Sequence, residues 1–123
     1  MKYLILINGN PQSRAAWESF TDQQRAEGYE LYAELHERLR ASGELVAAEA
    51  LTDPSLAVRI PARDTSLTAT DGPFAEVKEQ LNGFYLVDCE SLDRAVEIAE
   101  WFPEAAYGLV EVRPVLSLGG PDV

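Results

Sequence analysis

Hydrophobic and polar positions along the chain fall into short blocks of different period. Tyr3-Leu4-Ile5-Leu6-Ile7 is apolar on both alternate faces, which predicts a central strand covered on both sides. Asn8-Gly9-Asn10-Pro11 then supplies turn chemistry. Thr21 with Gln24 three residues later forms a capping-box pattern, and the helix it opens is expected to run to Ser42, before Gly43. Gly28, Leu31, Tyr32, Leu35 and Leu39 recur at spacings of three and four as its apolar stripe, with Glu30, Glu34, Glu37 and Arg38 on a solvated face. Leu45 to Leu51 reads as a strand stopped by Thr52-Asp53-Pro54. Leu56 to Ile60 alternates with period two, and Thr65 to Thr70 can return as its hairpin partner. Asp71-Gly72-Pro73-Phe74 is a turn signal, followed by a polar stretch from Ala75 to Asn82. Phe84 to Val87 is again apolar on both faces. Ser91 is the N-cap of a second helix with Leu92, Ala95, Val96, Ala99 and Phe102 as its stripe, stopped by Pro103. Leu109 to Val115 is the last strand.

The predicted order is β-α-β, a hairpin, then β-α-β, which fits an α+β ferredoxin-like sandwich with an inserted β-hairpin. Such a sandwich has helices on one sheet face only. Yet Leu4, Leu6, Tyr85 and Val87 alternate against Tyr3, Ile5, Ile7, Phe84 and Leu86, so both faces carry apolar side chains. An exposed apolar sheet associates, and a homodimer stacking sheet on sheet is the economical cover. One domain is expected over residues 1–118, with residues 119–123 as a flexible tail.

Composition narrows the function classes. Ten Lys and Arg against 21 Asp and Glu give a net charge of −11 over 123 residues, with a pI near 4.4. That balance argues against nucleic acid and against an anionic membrane surface, both of which need clustered basic residues. Five consecutive apolar residues at the N-terminus are too few for a signal-peptide core or a spanning helix, so a cytoplasmic protein is the simplest reading. One Cys and one His exclude an intramolecular disulfide, a Cys/His zinc site and an iron–sulfur cluster within a single chain. No Gly-rich phosphate loop, nucleophile elbow or metal-ligand spacing is present, so no cofactor is expected.

The residues able to carry chemistry each have an ordinary reading beside the functional one. Asp71 is a turn residue bonding nearby backbone N–H groups, or a general acid or base held by the rigid Gly72-Pro73 turn. Phe74 anchors its loop on the core or lines a pocket. His36 is the one side chain of a type that titrates near neutrality. On the flank of its helix stripe it is either a surface histidine or a proton carrier. Glu49 becomes interesting for acid–base work if its side chain points inward. Tyr32 and Tyr85 are amphipathic core residues or phenolic donors to a ligand oxygen. Lys78, flanked by Glu76 and Glu79, polarises a substrate or is a solvated charge, in a segment expected at the dimer or pocket rim. Cys89 lacks a basic neighbour and reads as a small packed residue.

The stretch Asp71-Gly72-Pro73-Phe74-Ala75-Glu76-Val77-Lys78-Glu79-Gln80-Leu81 closely resembles the DGPF-type branch of the YCII-related proteins. The likeness extends to Met1-Lys2-Tyr3, to Gly43-Glu44-Leu45-Val46, and to Tyr107-Gly108 ahead of Val110-Glu111-Val112-Arg113-Pro114-Val115. The resemblance implies a dimeric ferredoxin-like α/β barrel. Its wider superfamily includes a cofactor-independent dehydrochlorinase, and simpler members carry a His–Asp pair, onto whose histidine His36 does not align plainly. Two functions follow as expectations. One is a pocket for a small aromatic or quinol-like ligand, lined by Tyr32, Phe74, Lys78 and Tyr85, with lyase- or isomerase-like proton transfer by Asp71, His36 or Glu49. The other, implied by the genetic company of DGPF-type proteins, is a non-catalytic accessory protein that partners an extracytoplasmic-function sigma factor through its acidic surface.

Overall fold

The structure, a computed structural model, describes residues 1–63, 70–71 and 78–117, with 70–71 placed by their backbone alone. The elements run β1 (Lys2–Gly9), α1 (Pro11–Ser19), α2 (Asp22–Ser42), β2 (Leu45–Ala50), β3 (Val58–Arg59), β4 (Thr70–Asp71), β5 (Gln80–Asp88), α3 (Leu92–Ala99) and β6 (Val110–Pro114). Four strands form one sheet in the order β2-β5-β1-β6, and every neighbouring pair is antiparallel. Two β-α-β passages in that order make the ferredoxin-like α+β sandwich.

Local chemistry sets the element ends. Thr21 Oγ1 accepts from the Gln24 N–H at 3.1 Å and Gln24 Oε1 accepts from the Thr21 N–H at 2.8 Å, so α2 starts on the expected reciprocal cap. Gly43, at φ 81°, ends it in the left-handed conformation that a side chain disfavours. Directly after it, Glu44 accepts from Arg94 Nε and Nη2 of α3, both at 2.9 Å, and this two-pronged pair clamps α3 to the α2–β2 corner. Ser91 caps α3, also as expected.

Helix α1 is a feature that the turn reading of Asn8–Pro11 misses. Asn10 and Ser13 form a second capping box and Pro11 occupies the first helical turn. No α1 residue is buried, so the segment carries no apolar stripe to read. Trp17 tethers it to α2 instead, edge-on to Tyr29 with ring centroids 5.4 Å apart. A methyl on Gly28 would lie 3.2 Å from the Trp17 ring, so the glycine makes room for this contact.

The sheet register corrects the sequence grouping of faces. Tyr3 pairs with Val87 and Ile5 with Tyr85, and directly opposed residues share a face. Tyr3, Ile5, Ile7, Tyr85 and Val87 therefore face the helices together, packed on Leu35, Leu39, Ala95, Ile98, Ala99 and Phe102. Leu4 pairs with Leu86 and Leu6 with Phe84 on the opposite face, all half-buried. Every buried helix residue belongs to the first face. The α3 stripe is also turned from its expected course: Leu92 and Val96 are exposed, and Ile98 takes the fully buried position.

The inserted ribbon is shorter than its alternation suggests. Only Val58 and Arg59 of the Leu56–Ile60 stretch pair, opposite Asp71 and Thr70, because Asp53 caps a 3₁₀ turn that takes up Pro54–Leu56. Asp71 thus lies in β4 rather than in a turn. The rest of the expected return strand and Gly72-Pro73-Phe74 lie outside the described residues. Strand β5 begins at Gln80, inside the stretch read as polar, because backbone pairing with Asn8 and Gly9 extends it.

Candidate functional site

A cleft of about 410 Å³ opens between α2 and the helix-facing side of β1, β2 and β5. From α2 come Tyr29, Tyr32 and His36, which a helix places on one side at spacings of three and four. Ile7, Ala48, Ala50, Gly83, Phe84 and Tyr85 supply sheet walls. Glu104 enters from the 3₁₀ turn Pro103–Tyr107, and Glu49 and Asn82 complete the lining.

A bulge shapes the floor. Pairing of β1 with β5 slips between Ile7 and Asn8, which leaves Asn82 as the extra residue. Such an insertion re-aims a side chain at a sheet end. A Cβ on Gly9 would meet the Asn82 amide nitrogen at 2.2 Å, so the amide rests directly on this glycine. Gly83 lies so close to β2 that an added methyl would stand 2.9 Å from the Glu49 carbonyl oxygen. These two glycines let the backbones close where the cleft begins.

The polar centre of the cleft joins helix to turn. Tyr32 Oη donates a hydrogen bond to Glu104 Oε1 across 72 residues of sequence. Burial pushes the Tyr32 phenol far above the usual tyrosine range, and the bond to Glu104 and that carboxylate's charge push it further. Burial also raises Tyr85, with the Glu104 charge second. Both phenols are therefore held protonated as donors. Tyr85 stands 4.8 Å from the buried Phe102 ring and 5.9 Å, edge-on, from the His36 imidazole. The result is a set of donor phenols, an imidazole and a carboxylate among apolar walls, able to orient a ring and exchange protons with it.

Four of the residues singled out in the sequence, Tyr32, His36, Glu49 and Tyr85, line this one cleft. His36 is half-buried rather than on the outer helix surface. Glu49 is exposed at the margin, so the inward burial that would have suited it to acid–base work is absent. Lys78 belongs elsewhere: with Gly9, Asn10, Pro11, Arg14 and Gln80 it lines a separate cavity of about 40 Å³. It is carried there because β5 starts two residues later and runs away from the β1–α1 junction. Phe74 and the Asp71 side chain lie outside the described residues. Cys89 is buried, donates to the Ser91 carbonyl at 3.4 Å, and has its thiol pushed up by burial, as expected of an inert packed cysteine.

Sequence reading missed Glu104, Tyr29 and Asn82. Pro103 with an acidic residue next to it was the available sign of a new helical turn at Glu104. Asn82 is visible only through the slip in register. Among the described residues no three metal-ligating side chains cluster, and no helix is long and apolar enough to cross a membrane.

Comparison with known proteins places this geometry. Residues 1–118 match the YCII-related domain. An uncharacterised protein of Rhizobium meliloti (strain 1021) is 34% identical over 117 residues, covering 94% of this chain and 92% of that protein. Among solved structures, the 5-chloro-2-hydroxyhydroquinone dehydrochlorinase of Burkholderia phenoliruptrix AC1100, in complex with 2,5-dihydroxybenzoquinone, aligns with a TM-score of 0.51 over 94% of each chain. At 19% identity that likeness is one of fold. With a family match along nearly its whole length and a relative similar across that same span, the chain belongs to the YCII-related domain family.

Proposed function

We propose that this protein binds a small aromatic ligand of the phenol or quinol kind in the cleft, and moves protons on it without a cofactor in a lyase- or isomerase-like reaction. The observation that carries the reading is convergence. Tyr32, His36, Tyr85 and Glu104 come from three separate elements and line one ring-sized, largely apolar cleft. His36 and Glu104 are the proton carriers in this reading, and the protonated phenols orient ligand oxygens. Asp71 is kept as a further proton carrier. The fold shared with a dehydrochlorinase solved with a quinone supports the ligand class.

Titration with hydroquinone under thermal denaturation tests it. At about 100 times its dissociation constant, a ligand that binds the folded protein alone adds about 2.7 kcal/mol, a clear rise in midpoint. Midpoints unmoved by hydroquinone, catechol and phenol at millimolar concentration would sink the ligand reading and leave the accessory-protein alternative.

The protein is further proposed to act as a DGPF-type homodimer, closing a dimeric α/β barrel with Leu4, Leu6, Phe84 and Leu86 at the seam. The half-burial of this apolar face, opposite the helices, supports the reading. Leu86→Glu sets a charge beside Leu4 and is expected to yield a monomer by light scattering at micromolar concentration, with its circular dichroism retained. A variant that stays as associated as the parent would refute that seam.

A further inference from the structure

We infer that the cleft selects its aromatic ligand by charge, taking a phenol with a cationic amine tail over the neutral ring and over the corresponding carboxylate. This rests on the proposal that the cleft binds a phenolic ring, and adds the property that separates one such ring from another.

Positive charge is absent from the cleft lining. All ten Lys and Arg lie within the described residues, so the remaining segments hold none. None of the ten lines the cleft. Several are committed elsewhere. Arg38 lies over the Trp101 ring at 3.8 Å. Arg94 is shared between Glu44 and Glu97. Arg25 donates to the carbonyls of Trp17 and Glu18. Arg14 and Lys78 line the separate small cavity.

What the cleft does contain is negative or electron-rich. Glu104 supplies a carboxylate, and the rings of Tyr29, Tyr32 and Tyr85 stand around it. Tyr32 donates to one Glu104 oxygen, while a carboxylate has about four acceptor positions. Capacity for a second donor therefore remains. Aromatic faces attract a cation electrostatically, and a charge-assisted bond to a carboxylate is about twice as strong as a neutral one. The same two groups repel a ligand carboxylate, with no guanidinium or ammonium to receive it. A chain charge of −11 draws cations toward the surface as well. His36 is the one basic group in the lining.

A matched series isolates the effect: tyramine, para-ethylphenol and para-hydroxyphenylacetate share one phenolic ring and differ in tail charge. Calorimetric titration of the intact protein at about pH 8 is expected to show tyramine binding about tenfold tighter than para-ethylphenol. The carboxylate should bind about tenfold more weakly than para-ethylphenol. Glu104→Gln keeps an acceptor for Tyr32 while removing the charge, and should cut the ratio of tyramine to para-ethylphenol affinity about tenfold. Equal affinities, or tightest binding of the carboxylate, overturn charge selection while the phenolic reading stands. An unchanged ranking in Glu104→Gln overturns the assignment to Glu104. Failure of all three compounds to bind overturns the phenolic reading and the selection together.

Discussion

Phe102→Ala is expected to cost about 3–5 kcal/mol of stability and to lower the thermal midpoint by roughly 10–20 °C. Phe102 is 1% exposed and is the largest of the fully buried side chains. Its ring lies 4.8 Å from Tyr85 and 5.8 Å from Tyr32, so it forms the packing behind both phenols of the cleft. Truncation removes the transfer free energy of a phenyl group and leaves a space that the rigid strand and helix close only in part. For a domain whose whole stability is about 5–15 kcal/mol, that is a large share. Phe102→Leu should recover most of it. Urea denaturation of the three proteins checks the order, and a loss under about 1 kcal/mol for the alanine variant would mean that α3 and the sheet do not meet on this ring.

The alkaline limb of stability should be steep, and Tyr32 should account for much of it. In the unfolded chain a tyrosine ionises near pH 10. In the folded protein burial and Glu104 hold the Tyr32 proton to far higher pH, and Tyr85 is shifted in the same direction. The unfolded state therefore releases a proton that the folded state keeps. The contribution is complete below about pH 10 and is lost as pH rises from there toward the folded value, at about 1.4 kcal/mol per pH unit for each such group. Tyr32→Phe has no proton to release in either state. Between about pH 10 and 11 it should lose about 1 kcal/mol less than the parent in matched denaturation curves. Parallel curves would show that burial and Glu104 do not hold the Tyr32 proton.

Both predictions turn on residues whose roles differed in legibility. The α2 boundaries were readable because Thr21, Gln24 and Gly43 act on their own backbone neighbours. Phe102 stood on an apolar spacing, so its burial was legible too. Helix α1 was not, since a helix that buries nothing leaves no periodic trace. Its one signature was the Asn10–Ser13 cap. Among cleft residues, Tyr32, His36, Glu49 and Tyr85 were candidates by chemical type, but their meeting was not visible. They lie up to 53 positions apart and come together through α2 crossing the sheet. Lys78 shows the converse: its charge pattern is plain in sequence, but its place ahead of β5 puts it at another cavity.

By itself the sequence determined what depends on neighbours within a turn or on the period of burial: the long strands, two of the three helices, their caps, the inert Cys89 and the acidic charge. Tertiary structure decided what depends on register and on contacts between distant elements. The pairing of Ile5 with Tyr85 chose which residues share a face. The slip at Asn8 brought Asn82 to the cleft, and a hydrogen bond spanning 72 residues joined Tyr32 to Glu104. A one-residue shift in a strand reverses every side chain that follows, and no local preference records it.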